Sequence, residues 1–429
     1  MERTLIYNLN NHINTEVKIQ GWIHKIRKLS KIAFLIIRDR TGLVQCIIDT
    51  KVFDIKGLKI ESVVETTGIV TNKLDNEASV EIQVISLNII SPVEHNLPLE
   101  INKTNLEANL DTILNNRPIS LRNPKTNGIF KIQAVIAQSF SEYLVREGFT
   151  QVFSSKIVSE GTEGGTELFK LKYFEKDAYL AQSPQFYKQA LVGSGFERVF
   201  EIGHVYRAEE HNTQRHLNEY VSLDLEMSFI KDEKDIMTLE VNLLKYILQS
   251  LSEKCQEELI LLEAKLPVIT DTIPSMKLGE AINILKTKFG REDLCTDLDP
   301  EGEKQICEYV KNELNSEFIF LTHYPKSKRP MYTMPEGEDC THSFDLLFRG
   351  LEITTGGQRI HNYNQLKNSI SSKGLNPDCF SDYLLAFKYG MPPHGGLAIG
   401  LERLTSQLLG IKNIREACLF PRDRDRIAP

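Results

Sequence analysis

The sequence predicts an α+β fold in two parts: a small N-terminal β-barrel and a larger domain in which helices alternate with strands. The chain has 429 residues, more than one hydrophobic core usually serves. Residues 17–90 alternate with the two-residue period of strands, and beyond residue 124 stretches with helical spacing alternate with short apolar runs. These patterns place the barrel at 1–100, a hinge at 101–123 and the larger domain at 124–429.

The N-terminal part contains four strand-like runs. VKIQGWI and SVEIQVISLNII alternate, AFLIIRD is a short apolar run, and LVQCIID follows a Thr41-Gly42 turn. Between Lys18 and Arg40 there are seven basic residues and one acid, a local basic patch in a chain whose net charge is −7. Short strands that carry aromatic and basic side chains predict an OB-fold, which binds nucleic acid on its strand face.

The segment 101–123 has no clean periodicity and is interpreted as a hinge. A helix is then predicted from Gly128 to Gly148, because apolar residues recur on one face at helical spacing. Further helical runs, such as the one from Lys234 to Leu251, alternate with apolar strand-like runs such as EFIFL.

The composition is that of an ordinary globular protein, with 41% hydrophobic and 25% charged residues. No apolar run approaches the roughly 20 residues of a membrane span, and the N-terminus lacks the apolar centre of a signal peptide. We therefore expect a cytoplasmic protein with no membrane partner. The seven cysteines form no CxxC pair, which argues against a structural zinc site and a disulfide framework.

Two arginine-bearing segments indicate a nucleotide site. In FEIGHVYRAEEHNTQRHLNEYVSLDLE, two strand-like runs flank a polar turn that begins at Arg207, and GGLAIGLER ends in Arg403. Arginine presents a planar fork that matches phosphate oxygens in pairs, and glycine allows a backbone to approach a ligand closely. The first segment alone equally fits a hairpin with surface Arg–Glu pairs, but together the two segments predict a polyphosphate ligand.

The amino-acid sequences of these segments resemble those of a known protein family. The class II aminoacyl-tRNA synthetases have a motif 2 that RAEEHNTQRHLNE resembles and a motif 3 that GLER resembles. Within this class, these two segments and GMPPHGG are most similar to the archaeal-type aspartyl-tRNA synthetases. The similarity runs from GWIHKI near the N-terminus to LFPRD near the C-terminus. It implies an antiparallel sheet flanked by helices, the substrates ATP and L-aspartate, the acceptor tRNA(Asp), and a homodimer that the helix from Gly128 to Gly148 helps to form.

The resemblance also implies which residues bind ATP. The expected catalytic residues are Arg207, at the α-phosphate and its pentavalent transition state, and Arg403, on the adenine ring and near the γ-phosphate. The remaining ATP contacts are expected to be Glu209 at the adenine amino group, Tyr220 under the ring, Arg215 and His216 at the outer phosphates, and Glu352. Mg²⁺ is the implied cofactor, with oxygen ligands from Asp345, Glu352 and Thr355 in FDLLFRGLEITTGGQR.

For the amino acid, the resemblance implies a pocket of complementary charge. Lys188 and Arg359 are expected at the side-chain carboxylate, Gln185 and Asp224 at the α-amino group, and Thr162 and Thr355 as further contacts. The segment SEGTEGGTE, residues 159–167, resembles a loop that closes over the substrate. Asparagine would leave the cations poorly paired, so aspartate is the expected substrate.

For the tRNA, the resemblance places Phe34 and Gln45 at the central anticodon base and Arg27 at a phosphate or base beside them. His24 departs from the family, because enzymes of this type that accept only tRNA(Asp) tend to have tryptophan there. We expect the smaller, hydrogen-bonding ring to tolerate the third anticodon base of both tRNA(Asp) and tRNA(Asn). The sequence therefore predicts an enzyme that charges both tRNAs.

A second departure from the family is Ser155, where motif 1 usually has proline. We expect this substitution to affect the local backbone geometry and the strength of the dimer.

Other interpretations of the sequence stay open: an asparaginyl-tRNA synthetase, a class II paralogue that adenylates aspartate to make a free amide, or a catalytically silent RNA-binding descendant. Lys188 argues against asparagine as the substrate. The barrel argues against a paralogue that does not bind tRNA, and the intact ATP motifs argue against a protein without catalytic activity.

Overall fold

The structure is a computed structural model that describes residues 1–73, 76–161 and 167–429, with only the backbone at 76–78. By its internal contacts the chain divides into two units, residues 1–123 and residues 124–429. Each unit has its own hydrophobic core.

The first unit is built on a closed barrel. Among its described residues, the barrel strands follow the order β1-β2-β3-β5-β4, and only β3 and β5 are parallel. The strands are β1 (Glu16–Lys28), β2 (Ile32–Arg38), β3 (Leu43–Asp49), β4 (Val63–Lys73) and β5 (Asn76–Ser91). Alternate side chains such as Leu35 and Ile37 point inward and fill the barrel, which is why these segments alternate in the sequence. The barrel and its strand order confirm the predicted OB-fold.

Residues 101–123, interpreted as a hinge, are grouped with the barrel in the first unit. They contain two short helices, α1 (Leu110–Asn115) and α2 (Arg117–Ser120). The side chain of Asn109 caps α1 by accepting a hydrogen bond from the Thr112 amide at 2.8 Å. Local hydrogen bonds therefore give this segment a definite structure that its irregular sequence does not indicate.

The second unit is built on one large sheet. Its helices and strands are, in chain order, α3 (Pro124–Arg146), β6 (Thr150–Gln151), β7 (Ile157–Val158), β8 (Lys170–Tyr173), β9 (Lys176–Leu180), α4 (Gln185–Leu191), β10 (Arg198–Tyr206), β11 (Glu219–Ser228), α5 (Glu233–Lys254), α6 (Gln256–Leu261), β12 (Ser275–Lys277), α7 (Leu278–Phe289), α8 (Pro300–Leu314), β13 (Phe318–Thr322), β14 (Pro335–Glu336), β15 (Cys340–Thr341), β16 (Ser343–Phe348), β17 (Leu351–Arg359), α9 (Tyr363–Ser372), α10 (Ser381–Lys388), β18 (His394–Gly400) and α11 (Leu401–Leu409). Within the described residues the sheet has the order β12-β13-β16-β17-β18-β11-β10-β6. It is antiparallel except at its two ends, where β12 pairs with β13 and β6 with β10 in parallel.

The two faces of this sheet have different partners. On β11, Leu223 and Leu225 are fully buried in one core with α3, α5 and α11. The even-numbered residues Tyr220, Ser222 and Asp224 of the same strand point to the opposite face, where they line a cavity. The two-residue period of β11 therefore separates core residues from site residues, and the helices flank the sheet as predicted.

Helices α7 and α8 pack on the same face as the cavity, at the β13 end of the sheet. On β13, Phe318 and Phe320 belong to the core shared with α3 and α5, whereas Ile319 and Leu321 pack with α7 and α8. This arrangement brings the first turns of α8 beside the cavity. None of the helices in the described part of the chain has the length and apolar character needed to cross a bilayer.

Candidate active site

Two adjoining cavities of about 540 and 270 Å³ open on the polar face of the central sheet. Arg207, Tyr220, Glu352 and Thr355 line both, so the cavities are two ends of one site. Other predicted site residues line one cavity each: Gln185, Asp224 and Arg359 the larger, and Glu209, Arg215, His216 and Arg403 the smaller. Residues that are distant in the sequence thus meet here because β11, β17 and β18 are neighbours in the sheet.

The turn after β10 positions the first group of charges. Arg207 Nη1 lies 3.7 Å from Glu209 Oε1, and His216 Nε2 lies 3.7 Å from Glu209 Oε2. The side-chain amide of Asn218, which the sequence analysis did not single out, donates to the backbone carbonyls of Arg207 and Glu209 at 2.7 and 2.9 Å. Burial lowers the pKa of His216, so the ring is neutral at neutral pH and acts as a hydrogen-bonding group.

Arg403 approaches the same cavity from the first turn of α11. Its Nη1 donates to the Glu352 carbonyl at 3.0 Å and lies 3.5 Å from Glu352 Oε1. Thr355 Oγ1 donates to the same carboxylate oxygen at 3.0 Å. The side chains of Arg403 and Glu352 are 29% and 34% exposed, so both keep polar surface with which to meet a ligand.

Asp345 lies opposite Thr355 in the register of β16 and β17 but is buried in the protein. Its Oδ1 is 2.8 Å from Nη2 of Arg329, whose guanidinium stacks 3.8 Å from the ring centre of Tyr324. Burial raises the pKa of Asp345 to about 6, although Arg329 opposes the rise. Arg329 was not predicted from the sequence, because only the fold brings it to this carboxylate.

The donor set around Thr355 fits a magnesium ion, which prefers hard oxygen ligands. Two carboxylates, from Asp345 and Glu352, flank the Thr355 hydroxyl, and the raised pKa of Asp345 indicates a buried carboxylate that another cation would stabilise. Within the described residues, no three His, Cys, Asp or Glu side chains are close enough to hold a metal by themselves. Hydroxyl, water and nucleotide oxygens would therefore have to complete the coordination, as is usual for Mg²⁺.

A buried ionic network lies beside the larger cavity. Lys188, 1% exposed, places its Nζ 2.8 Å from Asp224 Oδ1 and 3.6 Å from Glu226 Oε2. Arg359 Nε is 3.1 Å from Glu226 Oε1, and its Nη2 donates to Gln185 Oε1 at 3.4 Å. Burial acts to raise the pKa of Glu226, but Arg359, Lys188, His394 and the hydrogen bond from Gln185 together hold it below its usual value, so the carboxyl is ionised.

This network differs from the arrangement expected from the sequence, in which Lys188 and Arg359 together face the substrate. Arg359 lines the larger cavity, whereas Lys188 is buried against Asp224. A buried ammonium group requires a carboxylate partner, and Asp224 and Glu226 supply the two negative charges. The sequence analysis assigned no role to Glu226, although it continues the alternation of Tyr220 and Asp224 along β11.

One glycine of the GGLAIGLER segment is required by this network. A Cβ at position 396 would lie 2.2 Å from Glu226 Oε2, and the Gly396 carbonyl accepts a hydrogen bond from Arg359 Nη2 at 3.1 Å. The close approach that glycine permits here is therefore to buried protein charges, whereas the sequence analysis expected an approach to the ligand.

Thr162, predicted to contact aspartate, lies outside the described residues, as does most of the segment 159–167. At the end of this segment the Glu167 carbonyl accepts a hydrogen bond from the Ala208 amide at 2.8 Å. Glu167 therefore lies beside the turn that carries Arg207.

The barrel presents a separate candidate surface. Arg27 is opposite Phe34 in the register of β1 and β2, and Phe34 is opposite Ile47, two residues from Gln45 on β3. Arg27 is exposed and the other two predicted contacts are half-buried on the outer face of the barrel. Gln45 Nε2 donates to Glu81 Oε2 at 2.9 Å. The structure thus brings together three of the four residues predicted to contact the anticodon.

His24, the fourth of these residues, is 8% exposed and lies at an irregularity of β1 between Ile23 and Lys25. Its Nδ1 is 3.0 Å from Nη1 of Arg38, which also pairs with Glu61 at 2.8 Å. Burial and Arg38 lower the pKa of His24, so the ring is neutral. An influence of His24 on bound RNA would therefore pass through its neighbours, Arg38 first among them.

Both units match known protein families. The family described as tRNA synthetases class II (D, K and N) matches residues 109–424, and the OB-fold nucleic acid binding domain matches residues 17–90. Together the two matches cover nearly the whole chain.

Similar individual proteins agree with these matches. The aspartate–tRNA(Asp/Asn) ligase of Thermus thermophilus is 47% identical, with 100% of both chains covered. The aspartate–tRNA(Asp) ligase of Picrophilus torridus is 45% identical over 96% of this chain and 97% of its own. The crystal structure of asparaginyl-tRNA synthetase from Pyrococcus horikoshii, complexed with asparaginyl-adenylate, superposes with a TM-score of 0.93 at 31% identity and covers 100% of both chains.

Proposed function

This chain belongs to the class II tRNA synthetases (D, K and N), and we propose that it loads L-aspartate onto tRNA(Asp) and also onto tRNA(Asn). It is an aminoacyl-tRNA ligase: the α-carboxylate of aspartate attacks the α-phosphate of ATP and pyrophosphate leaves, and then a hydroxyl at the 3′ end of the tRNA takes the aspartyl group from the adenylate as AMP leaves. The observation that carries the proposal is the convergence of Arg207 and Arg403 on a cavity that adjoins the charged pocket around Arg359.

The site residues act by positioning substrates and neutralising charge, and the reaction requires no protein nucleophile. Arg207 holds the α-phosphate, where negative charge grows in the transition state, and Arg403 holds the nucleotide from the other side. Asp345, Glu352 and Thr355 would hold Mg²⁺, which neutralises phosphate charge when bound.

The buried network favours aspartate over asparagine. The α-ammonium group of the substrate meets Asp224 and replaces part of its pairing with Lys188. The freed charge of Lys188, together with Arg359, then attracts a carboxylate more strongly than a neutral amide. This exchange is supported by the 2.8 Å distance between Lys188 Nζ and Asp224 Oδ1, which makes the two groups direct partners.

The barrel supports the second part of the proposal, the range of tRNAs. Arg27, Phe34 and Gln45 form a stacking and hydrogen-bonding surface for the central anticodon base. At position 24 the imidazole of His24, 3.0 Å from Arg38 Nη1, is smaller than an indole and leaves more room for the third base, at which the two tRNAs differ. ATP and tRNA as substrates also support a cytoplasmic location.

Aminoacylation of purified tRNA(Asp) and tRNA(Asn) tests the proposal. With labelled aspartate both tRNAs should be charged at comparable rates, and with labelled asparagine neither should be. Phe34→Ala is the control: it should weaken both charging reactions equally, by about 1–3 kcal/mol of lost stacking, and leave ATP–pyrophosphate exchange unchanged. Charging of tRNA(Asp) alone would refute the broad range, and charging with asparagine would refute the amino-acid assignment.

We further propose that the enzyme is a homodimer formed through the edge of the sheet at β6. Phe153, two residues after this short edge strand, is 82% exposed, and Ile157, at the start of β7, is 48% exposed. Exposed apolar side chains at a sheet edge are typical of an interface. The chain here is held from inside by Glu201, which accepts hydrogen bonds from Ser154 Oγ at 2.6 Å and Ser154 N at 3.1 Å and pairs with Lys156 at 2.8 Å.

Ser155→Pro is expected to stabilise this segment and strengthen the dimer. The Ser155 amide donates no hydrogen bond within the described residues, so proline would cost none, and it would restrict the unfolded chain. We expect a gain of about 0.4–1 kcal/mol, measured as a higher thermal midpoint and as dimer persisting to lower concentration in sedimentation. A lower midpoint would show that position 155 requires a backbone conformation closed to proline.

A further inference from the structure

Arg215, in the turn between β10 and β11, is paired with a residue from a distant helix. Its Nη2 forms an ion pair and hydrogen bond with Glu303 Oε2, and the two side chains are 25% and 16% exposed. Within the described residues, the other hydrogen bond of Arg215 is made by its amide, which donates to Thr213 Oγ1 at 3.2 Å. The Glu303 carboxylate is therefore the main restraint on the guanidinium of this turn.

Glu303 belongs to a firmly anchored helix. The side chain of Asp299 caps α8 by accepting from the Gly302 amide at 2.8 Å, and Arg291 Nη2 holds the same Asp299 carboxylate at 2.9 Å. Further along α8, Ile306 and Val310 are fully buried in the core that α7, α8 and β13 share. One partner of the ion pair is thus fixed by packing, and the other is a surface turn.

The geometry of the pair leaves Arg215 open to a ligand. Arg215 lines the smaller cavity and Glu303 does not, so the carboxylate lies behind the guanidinium as seen from the cavity. Nη1 of Arg215 is buried and has no hydrogen-bond partner among the described residues. A buried guanidinium nitrogen without an acceptor gains a hydrogen bond when an anion enters.

The other charges that face Glu303 are Glu352 and Arg403, both at the same cavity. Burial raises the pKa of Glu303, while Arg215 opposes the rise. Arg215, Arg403 and Glu352 therefore line the smaller cavity, and Glu303 lies beside them without lining it. A triphosphate tail placed there meets the two arginines, with Glu303 shielded by Arg215.

We propose that Glu303 is a positioning residue for ATP: it holds Nη2 of Arg215 from behind and so keeps the guanidinium at the smaller cavity, where the outer phosphates of the nucleotide bind. The proposal rests on the function proposed above. It adds that affinity for the β- and γ-phosphates depends on a residue of α8 that touches no substrate. Preorganisation of this kind strengthens binding because the side chain is ordered before the ligand enters.

Glu303→Gln is expected to raise the KM for ATP in aspartate-dependent ATP–pyrophosphate exchange by about tenfold, with kcat and the KM for aspartate little changed. Transfer of aspartate from preformed aspartyl-adenylate to tRNA should be unaffected, because the adenylate has no outer phosphates. In an Arg215→Ala background, Glu303→Gln should have no further effect on the KM for ATP.

Glu301→Gln is the matched control, because Glu301 lies on the same turn of α8 and pairs with Lys304 at the surface. Glu303→Asp should recover part of the affinity for ATP, which a purely structural loss would not show. An unchanged KM for ATP in Glu303→Gln would overturn the proposal, and a lowered KM would show that Glu303 competes with phosphate. If the wild-type chain shows no aspartate-dependent exchange, the proposed function itself fails, a result distinct from either.

Discussion

Arg207→Ala is expected to slow aspartate-dependent ATP–pyrophosphate exchange by about ten- to a hundredfold. A charge-assisted hydrogen bond contributes about 1.5–3 kcal/mol, and this one acts where charge accumulates on the α-phosphate. The loss should therefore appear in kcat as well as in kcat/KM. Measurement of both parameters at saturating aspartate separates this outcome from a simple loss of nucleotide affinity, in which kcat is preserved.

Arg198→Ala provides the control for this prediction. Arg198 lies at the other end of β10, donates to the Glu147 carbonyl at 2.7 Å and lines neither cavity of the site. Its loss should leave the exchange rate unchanged. If Arg207→Ala and Arg198→Ala behave alike, the α-phosphate is not held by Arg207 and the assignment of the nucleotide end is incorrect.

Lys188→Met is expected to destabilise the fold and to abolish productive binding of aspartate. The variant leaves the carboxylate of Asp224 buried without its cation and removes one of the two cations near Glu226. Breaking a buried pair from one side costs about 3–5 kcal/mol, which should appear as a large fall in the urea midpoint of the full chain. The KM for aspartate should rise strongly, because Arg359 alone then attracts the substrate carboxylate.

Two further variants separate stability from binding. Lys188→Met combined with Asp224→Asn removes both charges and should recover much of the stability without restoring aspartate binding. Lys172→Met removes an exposed lysine that pairs with Asp177, and it should change neither quantity. If Lys188→Met loses stability but keeps its KM for aspartate, Lys188 is structural only and the exchange of partners at Asp224 does not occur.

The fold could be predicted largely from the sequence because its strands are half-buried. Leu223 and Leu225 alternate with Tyr220 and Asp224, and this alternation is visible in the sequence before any contact is known. The segment 101–123 was less predictable, since its structure depends on individual hydrogen bonds such as the cap at Asn109. Side chains that bond to the backbone in irregular segments leave no periodic pattern.

The sequence by itself determined the architecture and the chemical groups of the site, because hydrophobic periodicity is local and because Arg207 and Arg403 stand in recognisable motifs. Only the tertiary structure decided which charges are partners. Lys188 pairs with Asp224 across 36 positions of the chain, and Arg215 pairs with Glu303 across 88. These pairings follow from the packing of α4 and α8 against the sheet, and no local pattern encodes which buried charges that packing brings within a few ångströms of each other.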